Sequence, residues 1–318
     1  MPSDSIVDAA LSGFRLVRER PRTIAVWAGV HLVFTLGIGL AMVLTGGAAL
    51  AQLTAASATS RTDPSQTLAL LGQVAPMYLL LLVAFALYYA VFMAAVNRAL
   101  MQPDDARFGY LRVGVDELRQ LGLNILLLLV MIGVYIALIV VAILIGVTIS
   151  LIGAALGGFH GPSPGAGGNM IYGILTALLA FLVVGAGLIF VGVRLSLASP
   201  LTFAKKHIDL FGSWRLTRGR FWPIFGAYVL SWILVFIVYI IGYALIVAVS
   251  AAVGGASGTS LLFRPDLSSV RAYFTLTRFI LIALQAALSA LVLPVTLCPA
   301  TEIYQRISGP SAVAAVFS

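Results

Sequence analysis

Charge, cysteine and histidine are all scarce in this 318-residue chain. Charged residues make up 9% and hydrophobic residues 61%, with a mean hydropathy of +1.08. Those values exclude a water-soluble globular domain, in which about a quarter of the residues carry charge. The single cysteine, Cys298, excludes an intrachain disulfide and any cysteine-clustered metal site. His31, His160 and His207 are too scattered to suggest a shared ligand set. HExxH and Walker spacings are absent as well, which removes the usual routes to zinc-hydrolase and nucleotide chemistry. The chain is therefore expected to be non-enzymatic, with no metal and no cofactor.

What is abundant is apolar sequence. Six runs, at approximately 23–45, 74–96, 121–156, 170–193, 221–253 and 273–298, reach the roughly 20 residues that a helix needs to cross about 30 Å of hydrocarbon. The first follows an amphipathic, charged lead and is read as a retained helix rather than a cleaved signal. The third and fifth runs are long enough to tilt, protrude or bend, with Gly133, Gly146 and Gly242 as flex points. Small residues four apart, Gly146 with Ser150 and Gly153 with Gly157, are expected to let helices approach closely.

The 17 arginines and 2 lysines sit mostly on one side of this pattern. Fifteen of them lie before the first run, between the second and third, between the fourth and fifth, or after the sixth; Arg61, Arg264 and Arg271 fall in the opposite connections. By the positive-inside rule both termini are cytoplasmic. Arginine in preference to lysine, with abundant Ala and Gly, suggests a bacterial source and hence the inner (cytoplasmic) membrane. The net charge of +8 belongs to this topology. No nucleic-acid platform stands outside the apolar runs.

The basic residues also repeat. FRLVRERPR, from Phe14, and WRLTRGRFW, from Trp214, align without a gap, so that Arg15, Arg18 and Arg20 match Arg215, Arg218 and Arg220. Each cluster ends an amphipathic segment leading into an odd-numbered run: Val7, Ala10, Phe14 and Val17 share a helical face in the first, and Phe203, Leu210 and Trp214 in the third. Phe108, Leu111, Val115 and Leu118 repeat the spacing in the middle, where Asp104 and Asp105 are expected to cap a helix rather than bind a cation with Asp116 and Glu117. Each even-numbered run is followed by an arginine and then a proline: Arg98 with Pro103, Arg194 with Pro200, Arg306 with Pro310. The expectation is one all-α integral membrane domain of six transmembrane helices. It is built as three parallel repeats, approximately 1–100, 101–200 and 201–318, each an amphipathic helix plus a hairpin.

The stretch from Arg194 to Leu230, with its arginine, small-residue and proline step and SWRLTRGRFW, resembles the membrane domain of bacterial glycerophosphoryl diester phosphodiesterases and stand-alone YciC-like proteins. The resemblance implies a membrane module. In the bifunctional enzymes the chemistry belongs to a separate soluble barrel, which this chain lacks.

Two sets of candidate residues follow. Arg15, Arg18, Arg20, Arg215, Arg218 and Arg220 carry the guanidinium geometry suited to phosphate or lipid headgroups at the inner leaflet. Within the runs, His31, Asn124, Arg278 and Gln285 are costly to bury and so mark potential function. The expected role is binding or helping to move lipids or other amphiphiles, with anionic membrane lipids as partners. A structural or accessory subunit docking a cytoplasmic protein is the alternative, and a small-molecule permease the third reading.

Overall fold

The computed structural model describes residues 3–58, 64–155, 167–263 and 265–309. Arg61, Asp63, Gly157, His160, Arg264 and Pro310 lie outside the described residues.

No strand occurs among the described residues; the order is α1 (Ser3–Glu19), α2 (Pro21–Thr45), α3 (Gly47–Ala58), α4 (Pro64–Met101), α5 (Val115–Ala155), α6 (Gly167–Leu195), α7 (Ala198–Lys205), α8 (Leu210–Leu216), α9 (Phe221–Phe263), α10 (Val270–Tyr273) and α11 (Leu276–Ser308). Six of these, α2, α4, α5, α6, α9 and α11, are long and apolar enough to cross a membrane, as the six apolar runs predict. Helix is the form such sequences must take in lipid, because it satisfies every interior backbone group within the segment. The ends follow local rules. Pro21 opens α2 at its first position, Asp209 accepts from the Gly212 amide at 2.7 Å to cap α8, and Thr275 accepts from the Arg278 amide at 3.2 Å to cap α11.

The long helices form a cycle of neighbours in chain order, α2, α4, α5, α6, α9, α11 and back to α2. Five of the six contacts in the cycle are closer than the last, α6 with α9, where the two helices barely touch. α11 is the hub and also carries α1 across its middle. Gly13 makes that crossing close: a β-carbon there would lie 2.3 Å from the Val295 Cα. α5 and α9 run to 41 and 43 residues, about 60 Å each, well beyond the hydrocarbon thickness. The expected flex points act differently. Gly242 seats Leu288 and Gly146 faces Thr176, so both are packing contacts, and the break in α9 falls at Gly255, with φ of 57°.

The connectors depart from three amphipathic helices resting on lipid. α1 is one helix, but Ala9, Ala10 and Leu16 are buried against protein, chiefly α11 and α9, and only residues such as Val7 and Leu11 are left exposed. The middle connector is not a helix. It is a 3-10 turn at Arg107–Tyr110 with Phe108, Gly109 and Tyr110 in the left-handed region, so Phe108 and Leu118 are exposed while Leu111 is buried. Tertiary bonds overrule the periodicity: Trp27 donates to the Gly109 carbonyl at 2.7 Å and Arg98 to the Tyr110 carbonyl at 2.6 Å. Asp105 therefore caps nothing and pairs with Arg112 and Arg107. The third connector is split into α7 and α8 at Lys206, whose φ is 58°.

Candidate functional site

The connectors that precede α2, α5 and α9 gather at one end of the bundle, the basic end. Of the six arginines expected there, Arg18, Arg218 and Arg220 are exposed and make no side-chain hydrogen bond or ion pair among the described residues. Arg15 and Arg215 reach carboxylates only loosely, each 3.9 Å from Asp8 and Asp209 respectively. Arg20 is different: it donates to the Tyr110 hydroxyl, which in turn donates to the Pro103 carbonyl at 2.8 Å, so it braces the middle turn. No side chain bridges the two triplets among the described residues; each triplet is a separate surface. Asp209 has its carboxyl held below the usual carboxylate range, first by the hydrogen bond from Lys205 and then by the Gly212 amide.

Beneath this surface lie residues that sequence reasoning treated only as repeat markers. Arg98 is 3% exposed and donates from Nη2 to Glu117 Oε1 at 2.8 Å, tying α4 to α5. Arg194 donates to the Thr217 carbonyl at 2.7 Å and lies beside the edge-to-face pair of Phe190 and Trp214, 5.2 and 5.6 Å from their centroids. Arg306 reaches Asp8 at 3.3 Å and Glu302 at 2.8 Å. Each arginine at the end of an even-numbered span thus clamps a connector: Arg98 the second, Arg194 the third, Arg306 the first. Asp116 and Glu117 are taken by Arg98, Arg119 and Lys206, which leaves no open carboxylate pair for a cation. A further chain of polar contacts joins α11, α4, α7 and α5: Thr301 donates to Asn97, Asn97 to Ser199, and Ser199 to Gln120, at 2.7, 3.0 and 2.9 Å.

Where the cycle is loosest, a groove of about 750 Å³ runs between α6 and α9. Val193, Phe225, Val229 and Phe236 make it almost wholly apolar. At its basic end Ser196 and Tyr228 also line a chamber of about 160 Å³ that reaches Asn97, Ser199 and Thr301. The Tyr228 hydroxyl is buried, faces Ser196 and makes no hydrogen bond of ordinary geometry. Arg220 immediately precedes α9 and stands about 8 Å along the helix axis from Phe225, so the groove ends beneath the unpaired guanidiniums of Arg218 and Arg220.

The four intramembrane candidates separate into two kinds. His31 and Gln285 come together in a cavity of about 260 Å³ at mid-depth, walled by α2, α4, α9 and α11. Arg278 stays at the far end, donating to the Leu261 carbonyl at 2.9 Å beside the Tyr273 ring, where it closes the end of α9. Asn124, with a buried amide nitrogen that has no partner, lies on α5 and lines neither space. Comparison with protein-family models, with curated proteins and with solved structures finds no match to this chain.

Proposed function

We propose that the protein is a non-enzymatic bacterial inner-membrane protein, both termini cytoplasmic, that binds lipids or helps to move them. The observation carrying this reading is the apolar α6–α9 groove, which opens sideways toward lipid and ends under exposed arginines. An acyl chain suits such walls, and a phosphate suits unpaired guanidiniums at the membrane surface, each worth about 1 kcal/mol near an anionic leaflet. Exposed Trp222 beside the arginines has the amphipathic ring of an interfacial anchor, and Phe211 adds a second exposed apolar ring.

Three parallel repeats give the groove its place in the architecture. On that reading the α4–α5, α6–α9 and α11–α2 contacts are equivalent, and the cyclic clamping by Arg98, Arg194 and Arg306 supports the equivalence. The groove is the one of the three left unpacked. The segment resembling the phosphodiesterase membrane domain, from Arg194 to Leu230, forms much of its wall and its mouth. Docking of a soluble partner draws no support from Asp116 and Glu117, whose carboxylates are already engaged.

The test is lipid retention. Protein purified in mild detergent is expected to carry anionic phospholipid, and Arg215→Gln, Arg218→Gln and Arg220→Gln together to lower the retained amount severalfold. Unchanged lipid content in the folded triple variant rules the reading out.

A further inference from the structure

The mid-depth cavity lies farther along α9, beyond Phe236, and shares no lining residue with the groove or with the arginine surface. Its polar lining is His31 and Thr35 from α2, Tyr239 and Tyr243 from α9, and Gln285 and Ser289 from α11. His31 shares a 2.5 Å hydrogen bond with Tyr88. Thr35, Tyr239, Tyr243, Gln285 and Ser289 make no hydrogen bond to any described group. Elsewhere among the described spans, hydroxyls such as Thr148, Ser150, Ser231 and Thr296 turn back to the carbonyl of a preceding turn. Five hydrogen-bonding side chains left unpaired around one cavity contrast with that habit. In hydrocarbon each costs free energy until something pairs with it.

The depth is membrane-central. His31 stands about 15 Å from the start of α2, and Gln285 about 14 Å from the opposite-end start of α11, in a core about 30 Å thick. The lining carries amide, hydroxyl, phenol and imidazole groups but no Asp, Glu, Lys or Arg. A phosphate or ammonium brought there would have no counter-charge, so the site rejects charged heads. α2 and α9 do not pack on each other, α11 forms the floor between them, and Tyr239 remains half exposed, so the cavity is reached from the lipid. Phe34 and Phe85 close the α2–α4 side with an edge-to-face contact at 5.2 Å. At about 30 Å³ per water the volume corresponds to roughly nine waters, enough for a small head and not for a folded chain.

We infer that the His31–Gln285 cavity is a binding site for an uncharged lipid, one with a hydroxyl or ester head such as a diacylglycerol or a long-chain alcohol, whose tail remains in the bilayer. The head supplies the hydrogen bonds that Gln285, Ser289 and Tyr243 lack. The site is separate from the arginine surface and discriminates in the opposite sense, taking neutral heads and refusing anionic ones.

The experiment uses the full chain in nanodiscs of phosphatidylcholine and a diazirine-bearing diacylglycerol, with labelled peptides mapped by mass spectrometry. Labelling is expected on residues 31–38 and 239–246, with excess unlabelled diacylglycerol competing and phosphatidylglycerol not competing. Gln285→Leu is expected to lower labelling about fivefold, and Tyr243→Phe, which removes one oxygen, about twofold. Thermal unfolding separates this role from a structural one: if Gln285 has no protein partner, Gln285→Leu melts at or above the wild-type temperature. Equal labelling in both variants, labelling elsewhere, equal competition by phosphatidylglycerol or by glycerol alone, or a marked fall in melting temperature for Gln285→Leu would each overturn the inference. The arginine triple variant should label normally, so failure of the lipid-retention reading and failure of this one are distinguishable.

Discussion

Arg98 and Glu117 offer a sharp test of how the basic end is held together. Their side chains are 3% and 6% exposed and meet at 2.8 Å, which at an effective dielectric of about 20 is roughly 6 kcal/mol of attraction. Desolvating each ion costs several kcal/mol, so the intact pair contributes little net stability, whereas removing one partner strands a buried charge at a cost of about 3–5 kcal/mol. The two single changes should differ. Arg98→Leu leaves Glu117 without its partner and also orphans the Tyr110 carbonyl, adding about 1–3 kcal/mol. Glu117→Leu leaves Arg98 with Asp116, already 3.8 Å away, and should cost less. The double change Arg98→Met with Glu117→Leu should cost less than Arg98→Leu alone, because no unpaired charge remains. Thermal unfolding in detergent, followed by fluorescence of the four tryptophans, reads these differences directly. At about 2–4 °C per kcal/mol in domains of 150–250 residues, and less in longer chains, Arg98→Leu should lower the midpoint by roughly 5–15 °C. The reasoning is falsified if Glu117→Leu costs as much as Arg98→Leu, or if the double change costs the sum of the two.

Gly13→Ala places a β-carbon 2.3 Å from the Val295 Cα, so α1 must lift from α11, at a cost of about 1–3 kcal/mol; faster proteolysis within α1 checks it, and unchanged protection contradicts the close crossing. Asp209→Ala removes the α8 cap and should cost about 0.5–2 kcal/mol at pH 7. The folded Asp209 carboxyl lies below its ordinary value, so its stabilisation is present above about pH 4 and is lost as pH falls through the folded value. The gap between wild type and Asp209→Ala should therefore narrow only in acid; a gap that widens there refutes the assignment. In a Cys298→Ala background, which removes the single native thiol, cysteines at Arg18, Arg112 and Arg218 should label from one side of the membrane and a cysteine at Ser268 from the other. Arginine positions labelled from opposite sides would dismantle the proposed topology.

Much of the architecture could be read from residue order because lipid imposes a one-dimensional rule: a run of about 20 apolar residues becomes a helix whatever surrounds it. The six long helices and the gathering of Arg18, Arg112 and Arg218 in the connectors follow from that rule together with charge placement. Periodicity failed where polar side chains bonded the backbone. Phe108, Leu111, Val115 and Leu118 have helical spacing, yet Trp27 and Arg98 hold the Gly109 and Tyr110 carbonyls and impose a left-handed turn. Arg20 likewise belongs with Tyr110, a partner 90 residues away that no local pattern announces.

By itself, the order of residues determined that this chain is helical with six runs long and apolar enough to cross a membrane, that one arginine cluster is written twice ahead of such runs, and that His31 and Gln285 are polar positions inside apolar helices. Only the tertiary structure decided which helices touch, and so where space remains. It packs α11 against α2 and α9, leaves α6 barely touching α9, and turns two polar residues 254 positions apart into walls of one cavity. The reason is physical. Burial in lipid is a property of each segment alone, whereas contact between helices depends on the small residues and branched side chains that two segments present to each other, as Gly13 does to Val295 and Gly242 to Leu288.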